Sequence, residues 1–162
     1  MSIASKPLKR SRHLATLSHE HHEILLFVWK IRQGVLYKVP AAEIGKYCAW
    51  FWDYMLKEHC EKEDALFPGL FADDDILLGT MRDDHNAIAK KMQEVIEDPS
   101  YFQIQRLAQI IYYHVRFEER VWFKHVEHTL NDSKLNEIDA SLSTNKIKRK
   151  MTWQNEFWRK RA

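Results

Sequence analysis

Two stretches of the chain, His59-Cys60-Glu61-Lys62-Glu63 and His114-Val115-Arg116-Phe117-Glu118, each set a histidine and a glutamate four residues apart. In an α-helix four residues rise about 6 Å and turn about 40° past one full turn, so the imidazole and the carboxylate lean from one face. Such a pair can offer a nitrogen and an anionic oxygen to one metal centre. The surroundings repeat as well. Trp52, Met55 and Leu66 stand in the same relation to His59 as Leu107, Ile110 and Val121 do to His114, which predicts apolar residues on the side of the pair. Both motifs should therefore face inward, where an ionised carboxylate is costly unless it is paired or metal-bound.

A second matched set supplies two more histidines. Leu17-x3-His21-x2-Ile24-x3-Val28-x2-Ile31 superposes on Met81-x3-His85-x2-Ile88-x3-Met92-x2-Val95, an apolar stripe at helical spacing with one histidine standing in a core position. In the first stripe His21 keeps the spacing and His22 sits about 100° off it, which favours His21 over His22. The order along the chain is His, His-x3-Glu, His, His-x3-Glu, an internal duplication of a helix pair. Six candidate ligands result: His21, His59, Glu63, His85, His114 and Glu118.

Those residues need rigid elements at matched levels. The 162 residues, 45% hydrophobic and 12% aromatic, can bury one sizeable core but not two ordinary domains. Only four glycines and four prolines interrupt long runs of good helix formers, and no alternating Val/Ile/Thr-rich run appears. The pattern predicts an all-α, antiparallel up-down four-helix bundle over 14–131, with an N-terminal tail over 1–13 and a basic, Trp-containing C-terminal extension over 132–162. Helices are expected over about 14–36, from Pro40 to just before Pro68, about 79–97 and about 101–130. Counting about 1.5 Å per residue from each histidine to the intervening turns places all four histidines in one layer of such a bundle.

Four imidazoles and two carboxylates exceed what one tetrahedral zinc can use, and a donor set of nitrogen and oxygen without thiolate suits iron or manganese. A carboxylate from each of two facing helices can bridge two ions about 3.5 to 4 Å apart. Cys60 points about 100° away from His59 and is not expected to be a ligand. Glu-x-x-His, the ferritin-like arrangement, does not occur, and His19-Glu20-His21-His22-Glu23 lacks the fifth-position histidine of zinc peptidases. Asp64 and Glu119 follow the two glutamates but project about 140° from the histidines, and are expected to be exposed acidic residues. His125 is expected to line an entrance or to meet a helix end. Some of the aromatics Trp50, Phe51, Trp52, Phe67, Phe117, Trp122 and Phe123 should wall the site.

The segments SHEHHEIL, EHCEKEDALFP, DDHNAI and HVRFEERVWF, in this order and spacing, resemble the hemerythrin-like family, the HHE cation-binding domain, over about residues 14–130. The resemblance implies a four-helix bundle around a non-haem di-iron centre, two Fe ions joined by an oxo or hydroxo bridge, with an open position for O2 or a related small ligand. It assigns His21 to the first helix, His59 and Glu63 to the second, His85 to the third, and His114 and Glu118 to the fourth, the glutamates bridging. The chain departs from the oxygen-carrying hemerythrins at Ala89, where they carry a second histidine, and at Glu118, which stands four residues after the last histidine where they use an aspartate at five. Both departures argue against reversible O2 carriage. They favour binding or sensing of O2, NO or peroxide, or reaction with them as an enzyme. The other class is an iron-homeostasis or interaction protein in which the metal is structural and the tail binds a partner.

Residues 143–162 hold seven Lys/Arg and one Glu, a net of +6 that leaves −4 for residues 1–142 of the overall +2. With Trp153, Phe157 and Trp158 among them, the segment is read as a short docked helix or tail, or as a patch for an acidic partner. No nucleic-acid motif accompanies it. The basic Met1–Arg12 lacks the apolar run of a signal peptide, no stretch is apolar enough to span a membrane, and Cys48 and Cys60 do not make a disulfide framework. A cytoplasmic protein is the expectation.

Overall fold

The computed structural model describes residues 12–145 and 152–160. Four long antiparallel rods form the bundle. The first is α1 (Ala15–Leu36) and the third is α4 (Ile76–Glu97). The second is composite: α2 (Ala41–Phe51), a π-helical turn (Trp52–Leu56) and α3 (Lys57–Leu66). So is the fourth: α5 (Tyr101–Phe117), a π turn (Glu118–Trp122) and α6 (Phe123–Thr129). A further helix, α7 (Asp132–Thr144), packs on the cluster that holds Leu14, Leu17 and Phe67. No strand occurs among the described residues, only an isolated bridge from Pro68 to Phe71. No described helix is long and apolar enough to cross a membrane.

Local chemistry sets the helix starts. Ser100 accepts from the Gln103 amide at 3.1 Å and Asn131 from the Lys134 amide at 2.9 Å, each satisfying a donor that the first helical turn leaves open. Asp75 does the same for α4, accepting from Leu77 N and Leu78 N. This cap starts the helix at Ile76, three residues before the position read from the apolar stripe alone. At the end of α3, Pro68 and Gly69, whose φ of +92° suits a residue without a Cβ, turn the chain.

Two apolar clusters fill the interior, and the polar residues lie between them. One, toward the α1 C-terminus, includes Ile24, Phe27, Val28, Met55, Leu56, Ile88, Ile111 and Val115. The other includes Leu14, Leu17, Phe67, Met81, Trp122, Phe123 and Val126, and α7 adds Leu135, Ile138 and Leu142 to it. On three of the rods the histidine sits where one cluster gives way to the other: His21 between Leu17 and Ile24, His85 between Met81 and Ile88, His114 between Ile111 and Trp122.

The π turns alter which residues face inward. The inward position expected for Val121 is taken by Trp122, which is fully buried, while Val121 is 43% exposed. The extra residue in the π turn Glu118–Trp122 delays the helix by about one position, so the side chain on the core line is one residue later than α-helical spacing gives. Met55 and Leu107 are buried as their stripe predicts.

Residues 152–160 form no helix, but they dock. Phe157 is buried edge-on against Tyr47 at 5.2 Å, Trp158 lies against the same ring, and Lys30 Nζ stands 4.2 Å above the Trp158 ring. Most of the basic charge of the extension, at Lys146, Lys148, Arg149 and Lys150, lies outside the described residues. So does nearly all of the expected tail over 1–13.

Candidate metal centre

All six residues singled out by spacing converge. His21, His59, Glu63 and Glu118 form one group in which an atom from each lies within 4.8 Å of the others, and Glu63, His85, His114 and Glu118 form a second. Both glutamates belong to both groups. Glu63 Oε1 is 2.9 Å from His59 Nε2, while its Oε2 is 3.2 Å from His85 Nε2. Glu118 Oε1 is 2.5 Å from His114 Nε2 and 3.5 Å from His21 Nε2. Both side chains are completely buried. His22, the alternative on α1, is exposed.

The histidines are held from behind. Each turns Nε2 into the centre and donates Nδ1–H outward to a carboxylate: His21 to Glu119 at 2.7 Å, His59 to Glu20 at 2.9 Å, His85 to Asp64 at 2.7 Å and His114 to Asp84 at 3.0 Å. Such a bond fixes the tautomer and ring plane and makes the inward nitrogen a better donor. Lys62 Nζ extends one chain, donating to Glu20 Oε2 at 2.6 Å. Asp64 and Glu119 therefore do not stand free on the surface as their helical angle implies. They reach a neighbouring helix, where a histidine of the other half waits. A sequence signal for these four acids exists: Glu20 and Asp84 directly precede a stripe histidine, and Asp64 and Glu119 directly follow a buried glutamate.

Proton affinities reflect this crowding. Burial works against charge on His21, but Glu118 and Glu119 outweigh it and push the imidazole up to about 9. His59 rises to about 9 against burial because of Glu63 and Glu20, and His114 likewise because of Glu118 and Asp84. His85 is pushed up further by Asp64, Glu118 and Glu63 despite its burial. Glu118, although burial favours its neutral form, is held well below the glutamate range by His114, His21 and His85. Glu20 is lowered against burial by His59 and Lys62. Burial pushes the Cys60 thiol up, and Cys60 belongs to neither group.

The donor set fits a pair of metal ions. With Nδ1–H committed outward, His21 Nε2, His59 Nε2 and all four oxygens of Glu63 and Glu118 face one another, buried without a hydrogen-bond partner. Buried carboxylates and imidazole nitrogens crowded together in this way are costly without a cation to share. Cations between the two groups would satisfy them. Residues 12–126 match the hemerythrin HHE cation binding domain. The chain belongs to that family. Comparison with curated proteins and with solved structures returned no match.

In this hemerythrin HHE domain, cation binding is the family property, and the buried His/Glu groups are where the chain can express it. Phe123 walls one side, stacked on His21 with ring centroids 5.4 Å apart. His125 does not line the centre; its Nε2 donates to Asp75 Oδ2 at 2.7 Å, tying α6 to the cap of α4.

Proposed function

We propose that this protein holds two iron ions, one at His21 and His59 and the other at His85 and His114, with Glu63 and Glu118 shared between them, and that it binds or senses O2 or a related small ligand such as NO or peroxide. The observation that carries this reading is the sharing of both buried glutamates by the two histidine pairs. A single ion would leave one pair and its carboxylate oxygens buried and unserved. Bound iron supplies Lewis acidity and one-electron chemistry toward the small ligand.

The chain's own residues determine access and orientation. Glu20, Glu119, Asp64 and Asp84 fix the four imidazoles, and the apolar clusters above and below exclude water from the layer. Ala89, one turn beyond His85 on α4, presents a methyl group where a further donor would otherwise stand. That leaves room beside the His85 position for a small ligand. Binding or sensing is favoured over turnover: among the described residues the one further buried acid, Glu20, is already engaged by His59 and Lys62. The free thiols Cys48 and Cys60 suit a reducing cytoplasm. An acidic partner for the basic C-terminal run belongs to the same proposal.

Metal analysis after anaerobic reconstitution with ferrous iron tests it, together with the visible spectrum before and after admission of air. About two equivalents per chain and a spectral change on exposure to O2 are expected. One tightly held zinc with no uptake of iron overturns the reading.

A further inference from the structure

The inner layer of the centre is two-fold symmetric: exchanging Glu20, His21, His59, Glu63 and Asp64 with Asp84, His85, His114, Glu118 and Glu119 reproduces every histidine–carboxylate pairing. The layer around it is not symmetric. The acids behind His59 and His21 are shielded, Glu20 7% and Glu119 20% exposed, whereas those behind His114 and His85 reach solvent, Asp84 36% and Asp64 40% exposed.

Sequence differences within the repeat produce this inequality. Three residues after His59 stands Lys62, which clamps Glu20 at 2.6 Å and also reaches the Asn145 carbonyl at the end of α7 at 3.4 Å. Three residues after His114 stands Phe117, which can form no such bond. Nine residues after His114 stands Phe123, flat against His21, while nine after His59 stands Pro68, beyond the end of α3. Among the described residues, Asp84 and Asp64 pair only with His114 and His85.

We propose that the two halves hold their ions unequally: the His21–His59 position retains its ion, and the His85–His114 position is the one through which metal exchanges. This inference rests on the two-ion reading above. To release an ion an imidazole must swing away, breaking its Nδ1–H bond to the supporting carboxylate. Water competes for an exposed Asp84 or Asp64 and lowers the cost of that swing. At His59 the acceptor is buried and pinned by a charge-assisted bond from Lys62, and at His21 a stacked ring blocks the motion. Lys62 is thus a positioning residue that acts through Glu20 and His59.

The test is the time course of iron release. The full chain, loaded anaerobically with Fe(II), is mixed with excess bipyridine and the coloured chelate is followed. Two phases of equal amplitude are expected, separated by about tenfold or more in rate. Asp84→Asn should speed only the fast phase. Lys62→Met should speed only the slow phase, and Lys62→Arg, which keeps a charged donor, should leave it slow. Far-ultraviolet circular dichroism checks that each variant keeps its helices. Two ions leaving in one phase, or Lys62→Met acting on the fast phase alone, overturns this inference and leaves the two-ion reading standing. Fewer than two ions per chain removes both.

Discussion

Phe123 lies flat against His21, with ring centroids 5.4 Å apart and planes within 4° of parallel. The π turn Glu118–Trp122 immediately precedes it and shifts the helix phase by about one residue, which brings Trp122 and Phe123 onto the core side together. The stack covers an imidazole face without offering it a hydrogen bond. The His21 ring is thereby constrained from the side while Glu119 constrains it from the end.

Glu119 should matter to metal binding although it points away from the centre. Glu119→Ala removes the acceptor for His21 Nδ1–H and is expected to weaken iron binding about tenfold, whereas Glu118→Ala removes a shared donor and should abolish uptake of the second ion. Glu61→Ala, on an exposed position of α3, should change nothing. Equilibrium competition with a coloured chelator ranks the three. Glu119→Ala behaving like Glu61→Ala would mean the His21 ring is held by packing alone.

Removing the metal should lower thermal stability. With free ion at about a thousandfold over its dissociation constant, the native state gains about 4 kcal/mol, which for a chain of this size is on the order of 10 °C in Tm. Calorimetry with and without EDTA measures it. In a Glu63→Ala and Glu118→Ala double variant the EDTA effect should vanish, because both groups lose their shared oxygens.

Asp75 should contribute a pH-dependent share of stability on the acid side. Burial favours its neutral form, but bonds from Leu78 N, His125 and Leu77 N outweigh that and hold the carboxyl below its ordinary 3.8. A depressed folded-state value means that the contribution is complete above the ordinary value and is lost as pH falls through the folded one. Asp75→Ala is expected to cost about 1 kcal/mol at neutral pH. Urea denaturation at pH 7 and at progressively lower pH should show this difference shrinking below about pH 4. A gap that widens on acidification would contradict the assignment.

Gly34→Ala should loosen the C-terminal segment. A Cβ there would meet Phe157 Cε2 at 2.8 Å and Ile44 Cδ1 at 2.9 Å, so Phe157 must move. Overpacking of this kind costs about 1–3 kcal/mol. The change should red-shift the tryptophan emission, which includes Trp153 and Trp158, and expose the C-terminus to limited proteolysis, with metal content unaltered. Unchanged emission and protease resistance would show that Ile44 yields instead.

The four-rod order and the convergence of six polar residues were legible in the sequence because helical spacing is strict. Residues four apart share a face, and a stripe that substitutes one histidine marks its level. Two features escaped that reasoning. A π turn has no simple sequence signature, so Val121 is read as inward when Trp122 takes that place. The acids behind the histidines are invisible to the angular pattern of any one helix, because their partners lie on other rods. Asp64 and Glu119 project off the His-x3-Glu face of their own rods, yet that direction points at His85 and His21 on the adjoining rods. The aromatic content of the C-terminal segment announces that it docks, but where Phe157 seats is non-local, set by the notch at Gly34.

The internal two-fold of the centre also makes its halves depend on each other. Glu119 supports His21 and Asp64 supports His85, so each half lends a carboxylate to the histidine of the other. Neither helix pair alone could bury its charged face, but two copies facing each other across an axis would complete both at once, which is the logic of a self-complementary homodimer. The present chain meets that requirement within a single polypeptide, each helix pair completing the other. Its two π turns fall at different points of the two halves, one ahead of His59 and one after His114, so the two-fold is kept at the centre and given up along the rods that carry it.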